Sequence, residues 1–276
     1  MTNNEITMSS NRTLRPLAAF FALACLALTS PVNAAILGAS YDVDITSSER
    51  VLAALGTPME HEIIDQESCD NPHLRIRARN KPSIKLTNTS AAPTELQTFT
   101  LEIASGDYYF GNGDTEFDAF VDYTQTSVFS DESVQITSSS VSGDGKKLTV
   151  NLSGLTAGKS VIFKVDLDAN DMDMFPFPDF RSVLLGAPMS FGDSPTQPAE
   201  MTALFTDEID NEQLLTTSFG QIQDVPAYAN ERIRPYHTMD MVEVYGTDVT
   251  GEVPEPTAGL LAAFGLAALY GRRRRS

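Results

Sequence analysis

Tryptophan is absent from this chain of 276 residues, and only two cysteines and three histidines occur. Carbohydrate sites often stack sugars on large aromatic rings, so the missing indole counts slightly against a lectin. Few soft ligands leave little for zinc. His61, Cys69 and His73 lie near one another in sequence, but not in the close pairs that tetrahedral sites use. Cationic residues are scarce too, 19 Lys plus Arg against 37 Asp plus Glu, for a net charge of −18. So acidic a body repels phosphate, which excludes nucleic acid as a partner. No glycine-rich phosphate loop occurs. No uninterrupted apolar run reaches the roughly 20 residues that a comfortable membrane span needs.

Two shorter apolar runs are present, one at each end. Arg12 and Arg15 precede the run Leu17 to Leu28, and Thr29-Ser30-Pro31-Val32-Asn33-Ala34 follows it. A charged start, a short apolar middle and a small-residue exit describe a secretory signal peptide over residues 1–34. Signal peptidase would cut between Ala34 and Ala35, and Met8 is an alternative start. Cys25 then leaves with the signal, so Cys69 has no partner for an intramolecular disulfide. At the other end, Val253-Pro254-Glu255-Pro256-Thr257 leads into the run Ala258 to Tyr270. Gly271 and a cluster of Arg272, Arg273, Arg274 and Arg275 follow. The run is marginal as a permanent anchor, and the arginines would hold their side in the cytoplasm.

That order of Val-Pro-Glu-Pro, apolar helix and arginine cluster resembles the PEP-CTERM sorting signal of Gram-negative bacteria. The resemblance implies recognition by an exosortase, a membrane transpeptidase-like enzyme that cuts near the Pro-Glu-Pro. It implies a transient stay in the inner membrane, then release or transfer to the cell surface or extracellular matrix. An ordinary tail anchor that happens to carry Pro-Glu-Pro is the alternative. Proteins of this kind share a tail and no single activity, so the resemblance names a route and no reaction. Without both end segments, 13 basic and 35 acidic residues are left, a net charge of −22.

Between the ends, residues alternate with a period of two and helical periodicity is rare. Alternation predicts strands over Lys81 to Thr87, Thr98 to Ile103, Leu148 to Leu152 and Val161 to Asp168, with a last strand over Met241 to Tyr245. Turn-forming clusters separate them, such as Gly111-Asn112-Gly113-Asp114 and Ser142 to Lys146. This pattern predicts a mainly β fold, an antiparallel β-sandwich of immunoglobulin-like or jelly-roll type. Leu86-Thr87-Asn88-Thr89-Ser90 followed by Phe99-Thr100-Leu101 resembles the opening strands of immunoglobulin-like secreted bacterial domains. Short helices are predicted over Ser48 to Leu55, capped by Ser47 or Ser48, and over Asp207 to Leu215. The expected organisation is a signal peptide at 1–34, the sandwich at 35–247, a linker at 248–252 and the sorting signal with its short transmembrane helix at 253–276.

The sharpest local candidate is acidic. Asp166 and Asp168 are expected on one strand face, about 7 Å apart. Asn170, Asp171 and Asp173 would fold back toward them where the strand ends. Hard oxygen ligands converging on a rim are what Ca2+ requires. The EF-hand spacing is not met, because Asp171 stands where that loop needs glycine and Phe177 where it needs glutamate. The alternative is a solvated acidic loop, with Arg181 as the counter-charge. Gly192-Asp193-Ser194 resembles the block of GDSL-type esterases, but the Asp-x-x-His partner is missing, since Arg234 stands three before His237. Carboxylate pairs such as Asp118 and Asp122 arise by chance in so acidic a chain. The expectation is therefore a secreted, non-catalytic surface or matrix protein that contacts polysaccharide, with Ca2+ as a bridge. The alternative is a surface hydrolase of glycans or esters using carboxylates on the sandwich rim.

Overall fold

The computed structural model describes residues 38–68, 80–91, 93–111, 126–169, 178–188, 192–224 and 243–251. Both end segments and their expected helices lie outside the described residues. The chain enters β1 (Ser40–Thr46) and then two helices, α1 (Glu49–Ala54) and α2 (Pro58–Ser68). Next come β2 (Ser83–Asn88), β3 (Thr94–Glu102), β4 (Tyr108–Phe110), β5 (Gln135–Val141) and β6 (Lys147–Ser153). Then follow β7 (Ser160–Lys164), β8 (Leu167–Ala169) and the short α3 (Phe180–Val183). The chain closes through β9 (Glu200–Asp207), β10 (Glu212–Ser218) and β11 (Tyr245–Thr250).

Every pairing is antiparallel. One sheet runs β11-β1-β2-β7, a second runs β10-β9-β3-β6-β5, and β4 pairs with β8. The inner residues of the two larger sheets form one apolar core: Val43, Ile84 and Val161 from the first, and Leu101, Val150 and Ala203 from the second. Aromatic rings tie them together. Phe99 meets Tyr41 and Phe163 edge-on, with ring centres 6.4 Å apart in both cases. The fold is thus mainly β with antiparallel sheets, an arrangement consistent with a sandwich. Among the described residues, no helix is long and apolar enough to cross a membrane.

Local chemistry explains most boundaries. Ser48 caps α1 by accepting a bond from the Val51 amide, and Glu49 sits in the first turn, where negative charge suits the helix dipole. The buried amide of Asn88 joins the sheets: Nδ2 donates to the carbonyls of Thr94 (3.1 Å) and Leu155 (3.0 Å), and Oδ1 accepts from the Ser90 amide.

Three expectations need correction. The helix expected over Asp207 to Leu215 is instead the turn and second arm of the β9–β10 hairpin. Asp207 Oδ1 accepts from the amides of Ile209 and Asn211, and Asp210 takes a φ of 60°, which closes a tight turn and leaves no helical register. The strand expected over Val161 to Asp168 breaks at Val165 and Asp166, where the chain passes from one sheet to another. The last strand begins at Tyr245 and takes in Asp248 to Thr250, residues expected in a linker. Its pairing with β1, Ser40 opposite Thr250 and Ile45 opposite Tyr245, holds it in the sheet.

Candidate functional site

Asp166 lies in the break between β7 and β8, with its side chain buried. Lys81 Nζ stands 2.8 Å from Asp166 Oδ2, and Asn80 Nδ2 reaches Oδ1 at 3.5 Å. The Asp166 carbonyl accepts from the Gly111 amide at 2.9 Å. The approach at Gly111 is close: a Cβ there would lie 2.6 Å from Asp168 Oδ2, which would have to swing away, and 3.3 Å from Asp166 Cβ. Asp168 is half-buried on β8, paired across from Tyr109. The counter-charge on Asp166 is therefore Lys81, a residue that sequence spacing does not flag. A lysine 85 positions upstream carries no local signal; only the packing of the segment before β2 against β7 brings it near. Asn170, Asp171 and Asp173 lie outside the described residues. Among the described residues, no three His, Cys, Asp or Glu side chains are grouped so as to hold a metal.

Arg181, the counter-charge expected from sequence, serves a different carboxylate. Its Nε and guanidinium nitrogen meet both oxygens of Asp179 at 3.0 and 2.8 Å, and both side chains are buried. Asp179 also accepts from the Arg181 amide and so caps α3. Burial by itself would lower the Arg181 pKa, but the Asp179 carboxylate raises it overall. Arg181 reaches on to Glu243 at 3.7 Å, and the Tyr245 hydroxyl donates to the same Glu243 carboxylate. This chain of contacts pins the entry to β11.

A second group of carboxylates has no counterpart in the sequence reading. On the outer face of the four-stranded sheet, Asp42 sits directly opposite Asp248, and Asp44 sits opposite Lys85. Burial first, and then Asp248, hold Asp42 above its ordinary pKa, while a bond from Thr89 works against them. Burial raises Asp44 as well, with Lys85 opposing it and Asp42 and Asp248 adding to it. Period-two spacing places Asp42 and Asp44 on one face, but only the pairing with β11 reveals Asp248 beside them. Among the candidate catalytic groups, His61 is exposed on α2 and Ser194 lies in an irregular segment. Cys69, His73, His237, Asp118 and Asp122 lie outside the described residues.

The end of β11 defines where the tail begins. Gly251 donates its amide to the Ala39 carbonyl at 2.9 Å, the last sheet-edge bond among the described residues. Residues 39 and 251 are therefore neighbours, and the segments before and after the sheet leave it at one corner. The residues Val253, Pro254, Glu255, Pro256 and Arg272 to Arg275 lie beyond that point, outside the described residues.

No curated protein matches the chain. A family model, the PEP-CTERM protein-sorting motif, matches residues 252–275. That match begins at the residue after Gly251 and takes in the Val-Pro-Glu-Pro and the arginine cluster. It implies processing by an exosortase during export and a place at the cell surface or outside the cell. The chain carries a PEP-CTERM sorting signal whose matched residues begin two positions after β11, the last strand among the described residues.

Proposed function

We propose that the protein is a non-catalytic component of the cell surface or extracellular matrix, exported through an N-terminal signal peptide and sorted through its tail. The observation that carries this reading is the junction at Gly251. The sorting motif follows the folded domain with almost no spacer, so the enzyme that reads it works at the corner where β1 and β11 meet. The apolar run from Ala258 to Tyr270 holds the precursor in the inner membrane until that cut. The sandwich reading is supported by two sheets enclosing one core.

Intact-mass measurement of the protein recovered outside the cell tests the route. The expected species begins at Ala35 and ends near Glu255. A mass that retains Arg272 to Arg275 would turn the tail back into a plain anchor.

Polysaccharide is the proposed partner, and Ca2+ the proposed bridge. Because Asp166 already pairs with Lys81, the ion in this reading rests on Asp168 with Asn170, Asp171 and Asp173. Calorimetric titration with Ca2+ checks it. Heat that persists after Asp171→Asn and Asp173→Asn together would place the ion elsewhere, and no heat at all would remove it from the function. The hydrolase alternative requires carboxylates, or a carboxylate and a histidine, gathered around a substrate. Turnover of glycan or ester substrates by the exported protein would favour it over binding alone.

A further inference from the structure

We infer that the outer face of the five-stranded sheet is a docking lane for a neutral, extended polysaccharide laid across the strands. This rests on the proposal above that polysaccharide is the partner, not on the Ca2+ bridge, and names the ligand class. The lane is built by register. Thr216 faces Thr202, Thr202 faces Thr100, Thr100 faces Thr149, and Thr149 faces Ser140. One row thus carries a hydroxyl on each of the five strands. Neighbouring strands lie about 4.8 Å apart, so the row is roughly 19 Å long. The next outward row, about 7 Å along the strands, reads Leu214, Leu204, Thr98, Asn151 and Ser138.

Side chains in the lane are held in place. Thr202 and Thr216 share a hydroxyl bond at 3.1 Å, Thr98 donates to Asn151 Oδ1 at 3.0 Å, and Asn151 Nδ2 donates to Ser138 at 2.8 Å. Leu214 is 62% exposed beside Leu204, which gives one end of the lane an apolar patch.

Charge selects the occupant. Neither of the two rows contains an ionisable residue, in a chain whose net charge is −18. Carboxylates stand on both flanks. Glu200 and Glu102 lie on one side, the latter paired with Lys147 at 2.5 Å; Glu95 and Glu212 lie on the other. An anionic chain would be repelled from both flanks, whereas an uncharged one meets only hydroxyl and amide groups. The strand spacing is close to the length of one sugar unit in an extended chain, so successive units meet successive strands. Each unit has hydroxyls at its edge for the threonines and an apolar ring face for the leucines.

Native gel electrophoresis of the exported protein through hydroxyethylcellulose, with polygalacturonate as the anionic control, tests the lane. The expected result is retardation by the neutral polymer, unchanged by chelator. Replacing the three central hydroxyls together (Thr100→Val, Thr149→Val, Thr202→Val) keeps β-branched shape and removes only the polar atoms. It is expected to weaken retardation at least about tenfold, while the matching triple change to Ser keeps it. Equal retardation of the valine variant, or none of the wild type by the neutral polymer, overturns the lane. Retardation by polygalacturonate with Ca2+ alone would overturn the lane and leave the broader matrix reading standing. Failure to bind either polymer would remove both.

Discussion

The two large sheets share a core and differ on their outer faces. On the four-stranded sheet the outward positions bring carboxylates together, with Asp42 opposite Asp248 and Asp44 beside them, relieved by Lys85. On the five-stranded sheet the same pleat brings hydroxyls together, and the charged residues stand at the strand ends. One backbone rule, successive side chains on opposite faces, thus yields a repulsive face and a neutral one. A net charge says nothing about this partition. Among the described residues, three carboxylates gather where β11 closes on β1, and none stands in the two hydroxyl-bearing rows of the other sheet.

Both faces stand on one support, and Phe99 is where that support is most exposed to mutation. Phe99 lies on the five-stranded sheet but touches Tyr41 and Phe163 of the other. Phe99→Ala is expected to cost about 3–5 kcal/mol, the usual range for a fully buried aromatic. Thermal melts followed at peptide and aromatic wavelengths should shift together in a single transition. Two separated transitions would mean that the sheets are independent layers.

A smaller effect is expected at the polar joint between them. Asn88 ends β2 and donates to the carbonyls of Thr94, the first residue of β3, and Leu155, just past β6. Asn88→Ala leaves those buried carbonyls short of donors, at a cost of about 1–3 kcal/mol. Denaturant unfolding should show a lower midpoint with the slope unchanged. A neutral outcome would mean that water replaces the amide.

The fold was legible where apolar residues alternate, as in Leu148, Val150 and Leu152 of β6, and in Phe99 and Leu101 of β3. The Ser48 cap was legible too, because capping is a local bond. β5 was not, since Gln135 to Val141 is mostly Ser and Thr and lies at a sheet edge with little to bury. The β9–β10 hairpin does not show in the sequence as a hairpin, because its turn is made by Asp207 side-chain bonds and carries no Asn-Gly or Asp-Gly pair. The candidate sites show the same division. The sorting signal is contiguous and could be read directly. The hydroxyl row draws Thr100, Thr149, Thr202 and Thr216 from four separate strands, and Lys81 meets Asp166 from across the fold, so neither leaves a local trace. Pairing register, which alternation does not specify, decides both.

A smaller change still is expected on the acidic face. Asp42 and Asp44 have raised pKa values in the fold, through burial first and carboxylate neighbours after it. Between the ordinary carboxylate value and the raised one, the folded state keeps protons that the unfolded chain has lost. Stability from these groups therefore falls as pH rises through that window, and acidification from neutrality restores it. The groups facing Asp42 are Asp248, Lys85 and the Thr89 hydroxyl; those facing Asp44 are Lys85, Asp42 and Asp248. Glu49 runs the other way: burial works against its charge, but bonds from Lys164 and Ser127 lower its pKa overall, so its contribution is lost as pH falls. Asp248→Asn isolates the first effect, because Glu49 is common to both proteins. The variant is expected to be more stable than wild type at neutral pH by about 0.2–1 kcal/mol, the range for like charges directly opposed across strands. That gap should close as pH falls through the Asp42 titration and shrink in high salt. An asparagine placed on the neutral face, Thr149→Asn, should leave the pH profile unmoved, since Thr100 and Ser140 and no carboxylate stand opposite it. A gap that stays constant with pH would mean that Asp248 acts through packing, and the contrast between the two faces would then be one of shape and not of charge.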